Sequence, residues 1–250
     1  MKYQNKKLNF FLQVAIFFFA ITFFSVKAYS LFDDMGVGAR VPGMGNAFVA
    51  VADDVHSVYY NPAGLSNIER PKVMVSHAIL YSGLSDGSDL GISNMAFALP
   101  LQGNRGTLGF LWNQFSLSGL YSEETIHISY GYKFSKTSLL RKFALGSSLK
   151  YLSHSFTKTD EAYNAMNGIY ATGDIDTVLL GENSKSALDL DIGLLYTLTK
   201  KYTIGIAIKS LLGPNMAFSS DTDKLPMKTR LGISHKTLWM ILTSQLDFEQ

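Results

Sequence analysis

Three groups of side chains in this sequence are of types that perform chemistry. Asp53 and Asp54 are adjacent carboxylates, an arrangement used to hold a metal or to move protons. Five histidines (His56, His77, His127, His154 and His235) supply imidazoles, and Gly36, Gly38, Gly43 and Gly45 superficially resemble a phosphate-cradling loop. None of the three completes a reaction centre. The histidines lack metal-ligand spacing, and no parallel-sheet unit follows the glycines. Two carboxylates at the end of a short helix are disfavoured by its dipole. They therefore read as structural groups in search of a cation, and Arg40 is the nearest. Cysteine is absent, which removes disulfides, thiolate metal sites and cysteine nucleophiles together, and no Gly-x-Ser-x-Gly elbow is present. The expectation is a protein that is not an enzyme and carries no cofactor and no metal.

The elements that position the remaining charges alternate with period two. Nine candidate strands run Val73–Tyr81, Leu90–Leu99, Thr107–Phe115, Ile126–Phe134, Phe143–Tyr151, Leu188–Leu194, Tyr202–Lys209, Met227–His235 and Leu238–Phe248. One face of each is apolar or aromatic. The other carries Lys133, Lys150, Lys209, Lys228 and Arg230 against Asp189, Asp191 and Asp247. It also carries mid-strand glycines: Gly109, Gly131, Gly146, Gly193, Gly205 and Gly232. Glycine inside a strand marks a bend or a close approach of another backbone. Either something packs against this face, or the glycines let the sheet curve.

Connections alternate between generally longer and generally shorter, the longest being 154–187 and the shortest 199–201 and 236–237. Charged residues are 17% and aromatics 13%, against roughly 25% charged in an ordinary soluble domain. These features together predict an antiparallel outer-membrane β-barrel, with lipid on the apolar faces and the charged faces lining the lumen. A soluble sandwich accounts for the alternation alone. In a dry lumen the charges must pair or find water. Two connections stand out on the long side. One is Asp160–Asn167, a candidate helical turn; the other is the apolar 211–218, whose Met216 and Phe218 are candidates for contact with greasy ligands or a partner.

The N-terminus reads as an export signal over residues 1–30: Lys2, Lys6 and Lys7, then an apolar core, then Ala28-Tyr29-Ser30. An uncleaved anchor is the alternative. Removing the segment takes away Lys2, Lys6, Lys7 and Lys27 and no acid, which turns the formal charge of +2 into a small acidic excess. No nucleic-acid partner follows from the pI. Residues 31–71 read as a plug and 72–250 as the barrel. Within the plug, Asn46 is a candidate N-cap for a helix over Ala47–Ala52, with Met44, Phe48 and Val51 on one face. Tyr59 and Tyr60 fill space against the wall, and Asn61-Pro62-Ala63-Gly64 turns the chain into the first strand. The lumenal lysines and Arg230 are further candidate partners for Asp53 and Asp54.

The run Gly38-Ala-Arg-Val-Pro-Gly-Met-Gly-Asn-Ala-Phe-Val-Ala-Val-Ala-Asp-Asp54, followed by Tyr59-Tyr-Asn-Pro-Ala-Gly-Leu65, resembles the N-terminal signature of PorV/PorQ-like outer-membrane proteins. That group is similar to the wider FadL-type family. The resemblance implies a barrel of about fourteen strands with an N-terminal lumenal plug. Nine candidate strands are fewer, which leaves a miscount, a longer parent protein or a smaller barrel as readings. The PorV-like side of the resemblance implies binding exported protein cargo and handing it on in type IX secretion. The FadL-like side implies passage of hydrophobic small molecules. Neither implies a cofactor.

Overall fold

The computed structural model describes residues 35–81, 89–134, 140–158, 166–167, 170–174, 182–218 and 222–249. The export segment 1–30 and residues 160–165 of the longest connection lie outside the described residues. The strands are β1 (Lys72–Tyr81), β2 (Leu90–Pro100), β3 (Thr107–Leu117), β4 (Tyr121–Lys133) and β5 (Phe143–Phe156), then β6 (Met166–Asn167) and β7 (Tyr170–Ala171). They continue with β8 (Ser184–Thr197), β9 (Tyr202–Lys209), β10 (Lys228–Lys236) and β11 (Ile241–Glu249). Nine of them form one antiparallel sheet in the order β1-β2-β3-β4-β5-β8-β9-β10-β11. The pair β6–β7 is a separate two-stranded ribbon in the long connection, so Met166–Asn167 is extended where a helical turn was expected. The all-β antiparallel class is the one expected, and no described helix is long and apolar enough to cross a membrane.

Several strands are longer than the sequence pattern suggested. β4 begins at Tyr121, β5 continues to Phe156 and β8 starts at Ser184. The added residues lie towards the long connections, where both faces are polar and alternation fades. Towards the short connections the pattern is strict. Val73, Val75, Phe97, Leu108, Ile128, Leu149, Leu188, Ile233 and Leu246 are all exposed on one face. A soluble protein rarely exposes apolar surface on that scale. Aromatic rings gather on this face near the short turns: Phe143 on Tyr196 at 4.6 Å and Tyr202 on His235 at 4.3 Å.

The other face is wrapped around residues 35–71. This segment holds α1 (Arg40–Gly43), α2 (Ser57–Tyr60) and a 3-10 helix, Pro62–Asn67. Val37, Val41, Phe48, Val58, Tyr60 and Leu65 are fully buried with Ala96, Ala98 and Leu111 of the wall in a single core. The expected helix over Ala47–Ala52 does not form. Asn46 takes a left-handed backbone (φ 61°) rather than an N-cap conformation, and only one turn closes, with the Ala52 amide donating to the Phe48 carbonyl at 3.0 Å. Asparagine favours both positions, and the flanking glycines Gly43 and Gly45 favour stopping a helix here. Met44, Phe48 and Val51 still meet the same core.

Candidate functional site: the plug seat and the charged wall

The mid-strand glycines form a track across the sheet. Gly131 pairs with Gly146 and Gly146 with Gly193; one step along, Gly205 pairs with Gly232. The plug lies on this track. A methyl group on Gly131 would sit 2.7 Å from the Pro62 carbonyl oxygen, and one on Gly146 2.5 Å from the same atom. On Gly109 it would meet Val58 at 2.7 Å, on Gly205 the Ala50 Cα at 2.6 Å, and on Gly193 the Pro62 Cδ at 3.0 Å. Close approach therefore accounts for the glycines. Gly64 does the same inside the plug, where a methyl would lie 2.7 Å from Ser57 Oγ.

Polar bonds fix the register. Buried Asn61 donates from Nδ2 to the Val49 carbonyl at 2.8 Å and to the Leu194 carbonyl at 3.4 Å, and its Oδ1 accepts from the Ala63 amide at 3.1 Å. Pro62 follows at the first position of the 3-10 helix, where no N–H is needed. The turn at Phe48–Val49 is held from the wall. Gln245 Oε1 accepts from both amides at 3.1 and 3.0 Å, while its Nε2 donates to Asp247 at 2.8 Å. Ser234 Oγ donates to the Ala50 carbonyl at 3.1 Å. Neither residue was singled out from sequence. Their only signal is parity, since Gln245 is paired with Gly232 on the same face.

Arg40 binds both carboxylates, Asp53 at 2.6 Å and Asp54 closer still. His56 donates its amide to Asp54 Oδ1 at 2.9 Å and approaches it with Nδ1 at 2.8 Å. Burial pushes Asp54 up, but the bonds from His56 and Arg40 outweigh it and hold the carboxyl at about 2. The same two carboxylates raise Arg40, against its partial burial. The wall cations play no part in this pairing. Lys72 reaches only the Asp53 carbonyl, at 3.5 Å. The Lys209 ammonium lies 3.4 Å from the centre of the Tyr59 ring, and the Arg230 guanidinium lies 5.7 Å from that of Tyr60. Tyr60 in turn accepts at its hydroxyl from the Val37 amide at 2.9 Å.

Above the plug, towards the long connections, the wall is charged. Lys150 bridges Asp189 at 2.8 Å and Asp191 at 2.7 Å, with all three buried. The acids also hold the chain after β9: Asp191 accepts from the Ser210 amide at 2.9 Å and Asp189 from the Leu212 amide at 3.1 Å. Lys228 pairs with Glu249 at 3.4 Å and Arg230 with Asp247 at 3.5 Å, while Lys133 is half-buried at the turn end of β4.

Met216 does not offer the expected outer contact. Its side chain is fully buried because the 211–218 connection folds inwards. His154 Nε2 donates to the Met216 carbonyl at 2.8 Å, and Phe218 stacks on the His154 ring at 4.0 Å. Tyr121, 3.2 Å from His154 Nδ1 and 2.8 Å from Glu123, completes this cluster. Among the described residues no group of acids and histidines is arranged to hold a metal ion.

No curated protein matches this chain. The crystal structure of a FadL homologue from Pseudomonas aeruginosa is similar at 13% identity and a TM-score of 0.43, over 79% of this chain and 64% of that one. The family model described as type IX secretion system membrane protein PorP/SprF matches residues 55–241. That match begins inside the plug, takes in Tyr59–Leu65 and runs through β1 to β10, ending at the first residue of β11. The chain belongs to the PorP/SprF family of type IX secretion system membrane proteins.

Proposed function

We propose that this protein is a non-enzymatic outer-membrane component of type IX secretion that binds exported protein cargo and hands it on. The observation that carries the reading is the seated plug within a chain of the PorP/SprF family. The Pro62–Leu65 helix packs directly onto glycine backbone of the wall. The plug is thus held against the inner face of the wall, which suits a holding role. The outer connections, rich in acid and polar groups, are the cargo-facing part. The finer likeness to PorV/PorQ-like members rests on Gly38–Asp54 together with Tyr59–Leu65, of which the first run lies ahead of the matched residues. Passage of hydrophobic small molecules is the weaker reading, since Met216, its candidate contact, is buried.

Affinity capture of the tagged protein from cross-linked, intact envelopes tests the proposal. Recovery of exported proteins or secretion components is the expected result. Recovery of general envelope proteins alone would reject it.

A further inference from the structure

The sheet has a chemical polarity whose basic end neither the plug nor the cargo reading uses. The long connections carry acids, among them Asp89, Asp174, Glu182 and Asp223. The short connections carry bases: Arg105 between β2 and β3, Arg141 and Lys142 before β5, Lys200 and Lys201 before β9, and Lys236 before β11. Across these four connections, from 101 to 240, there is no acid. All but half-buried Lys142 are exposed, and none of the six is in an ion pair among the described residues.

Apolar side chains stand out among these bases. Leu140 and Leu198 are exposed, and the β10–β11 hairpin presents Leu238 at 95% and Trp239 at 92% exposure. The hairpin tip is fixed, not loose. Thr237 Oγ1 donates to the Met240 carbonyl and accepts from its amide, both at 3.0 Å. Neighbouring connections are bonded into one rim. Lys142 Nζ donates to the Leu198 carbonyl at 3.2 Å, the Lys236 amide to the Lys201 carbonyl at 2.7 Å, and the Tyr130 hydroxyl to the Arg105 carbonyl at 2.5 Å.

We propose that this rim is a binding surface for anionic phospholipid headgroups, with the Leu238–Trp239 tip inserted as its anchor. A basic ring with interleaved apolar tips matches a negatively charged membrane face, and tryptophan prefers the boundary between hydrocarbon and headgroup. The occupant is lipid rather than an acidic protein because the bases recur on successive connections along the edge instead of forming one patch. The tip is also continuous with the apolar outer face through Leu242 and Leu246. The inference rests on the sheet spanning a membrane.

The chain's two tryptophans, Trp112 and Trp239, separate these ideas. The full chain is reconstituted into phosphatidylcholine vesicles containing phosphatidylglycerol, with either lipid brominated in turn. In W112F protein only Trp239 emits; in W239F only Trp112 does, from the outer face of β3. The rim proposal predicts at least twofold stronger quenching of Trp239 by brominated phosphatidylglycerol at equal mole fraction. It predicts that K200Q/K201Q/K236Q abolishes that preference while brominated phosphatidylcholine still quenches. Equal quenching by the two lipids, or a preference that survives the triple substitution, overturns it. So does solvent-like Trp239 emission that shifts only when solubilised envelope proteins are added, which would assign the tip to a protein partner. Quenched Trp112 beside solvent-like Trp239 sinks the rim alone; unquenched Trp112 sinks the membrane-spanning reading itself.

Discussion

Gly146→Ala tests the seating of the plug with a single methyl group. That methyl would lie 2.5 Å from the Pro62 carbonyl oxygen and nearer still to the Pro62 carbonyl carbon and the Ala63 nitrogen. Ordinary van der Waals contact begins at 3.4 Å, so the 3-10 helix has to retreat by about 1 Å. Its neighbours cannot follow, because Asn61 is bonded to the Leu194 carbonyl and Gln245 to the Phe48–Val49 turn. Overpacking of this kind costs about 1–3 kcal/mol, which raises the released fraction of the plug by roughly 5–150-fold. Amide hydrogen exchange over residues 48–65, measured on protein in its native membrane, reads that fraction. Gly43→Ala is the matched control, with nothing within 4 Å of the added methyl and an ordinary φ. Faster exchange in G146A and none in G43A is expected. Unchanged exchange in a folded G146A protein would refute the idea that the glycine track seats the plug.

Three further substitutions follow from the same geometry. Gln245→Leu deprives the Val49 amide of its acceptor and costs about 1–3 kcal/mol; exchange should quicken at Phe48 and Val49 while the β10–β11 ladder stays protected. Lys150→Met leaves Asp189 and Asp191 buried without their cation, at a cost of about 3–5 kcal/mol. Its melting temperature should fall sharply, and K150M/D189N/D191N should regain most of the loss. Asp54 is held at about 2 against an ordinary 3.8. Its contribution is complete above pH 4 and disappears as the pH falls through 2, a change on the order of 1 kcal/mol after solvent screening. Protease cleavage within 35–56 should therefore rise between pH 4 and pH 2 in the native protein, and D54N should show no such step.

Much of this was legible in the sequence because the outer face demands apolar side chains at every second residue. In Tyr202–Lys209 the alternation marked the strand to the residue. Where both faces are wet, as at Tyr121–Thr125, the demand vanishes and with it the signal. The glycine track could be read as a close approach because six glycines share one parity, but parity does not say which atoms approach. Asn46 misled because its short amide suits a helix start and a left-handed turn alike. Gln245 and Ser234 were invisible, since a lone polar residue on an inner face has many uses. Met216 looked like part of an exposed apolar loop; its burial and the His154 bond to its carbonyl show the loop turned inwards.

The proposed role is tested most directly by deleting the gene and measuring where exported cargo goes. Surface and periplasmic fractions are compared by quantitative proteomics, with fatty-acid uptake followed in the same strains. The account predicts that type IX cargo disappears from the surface and accumulates in the periplasm while uptake is unchanged. Cargo at the wild-type level on the surface, together with a fall in uptake, would contradict it.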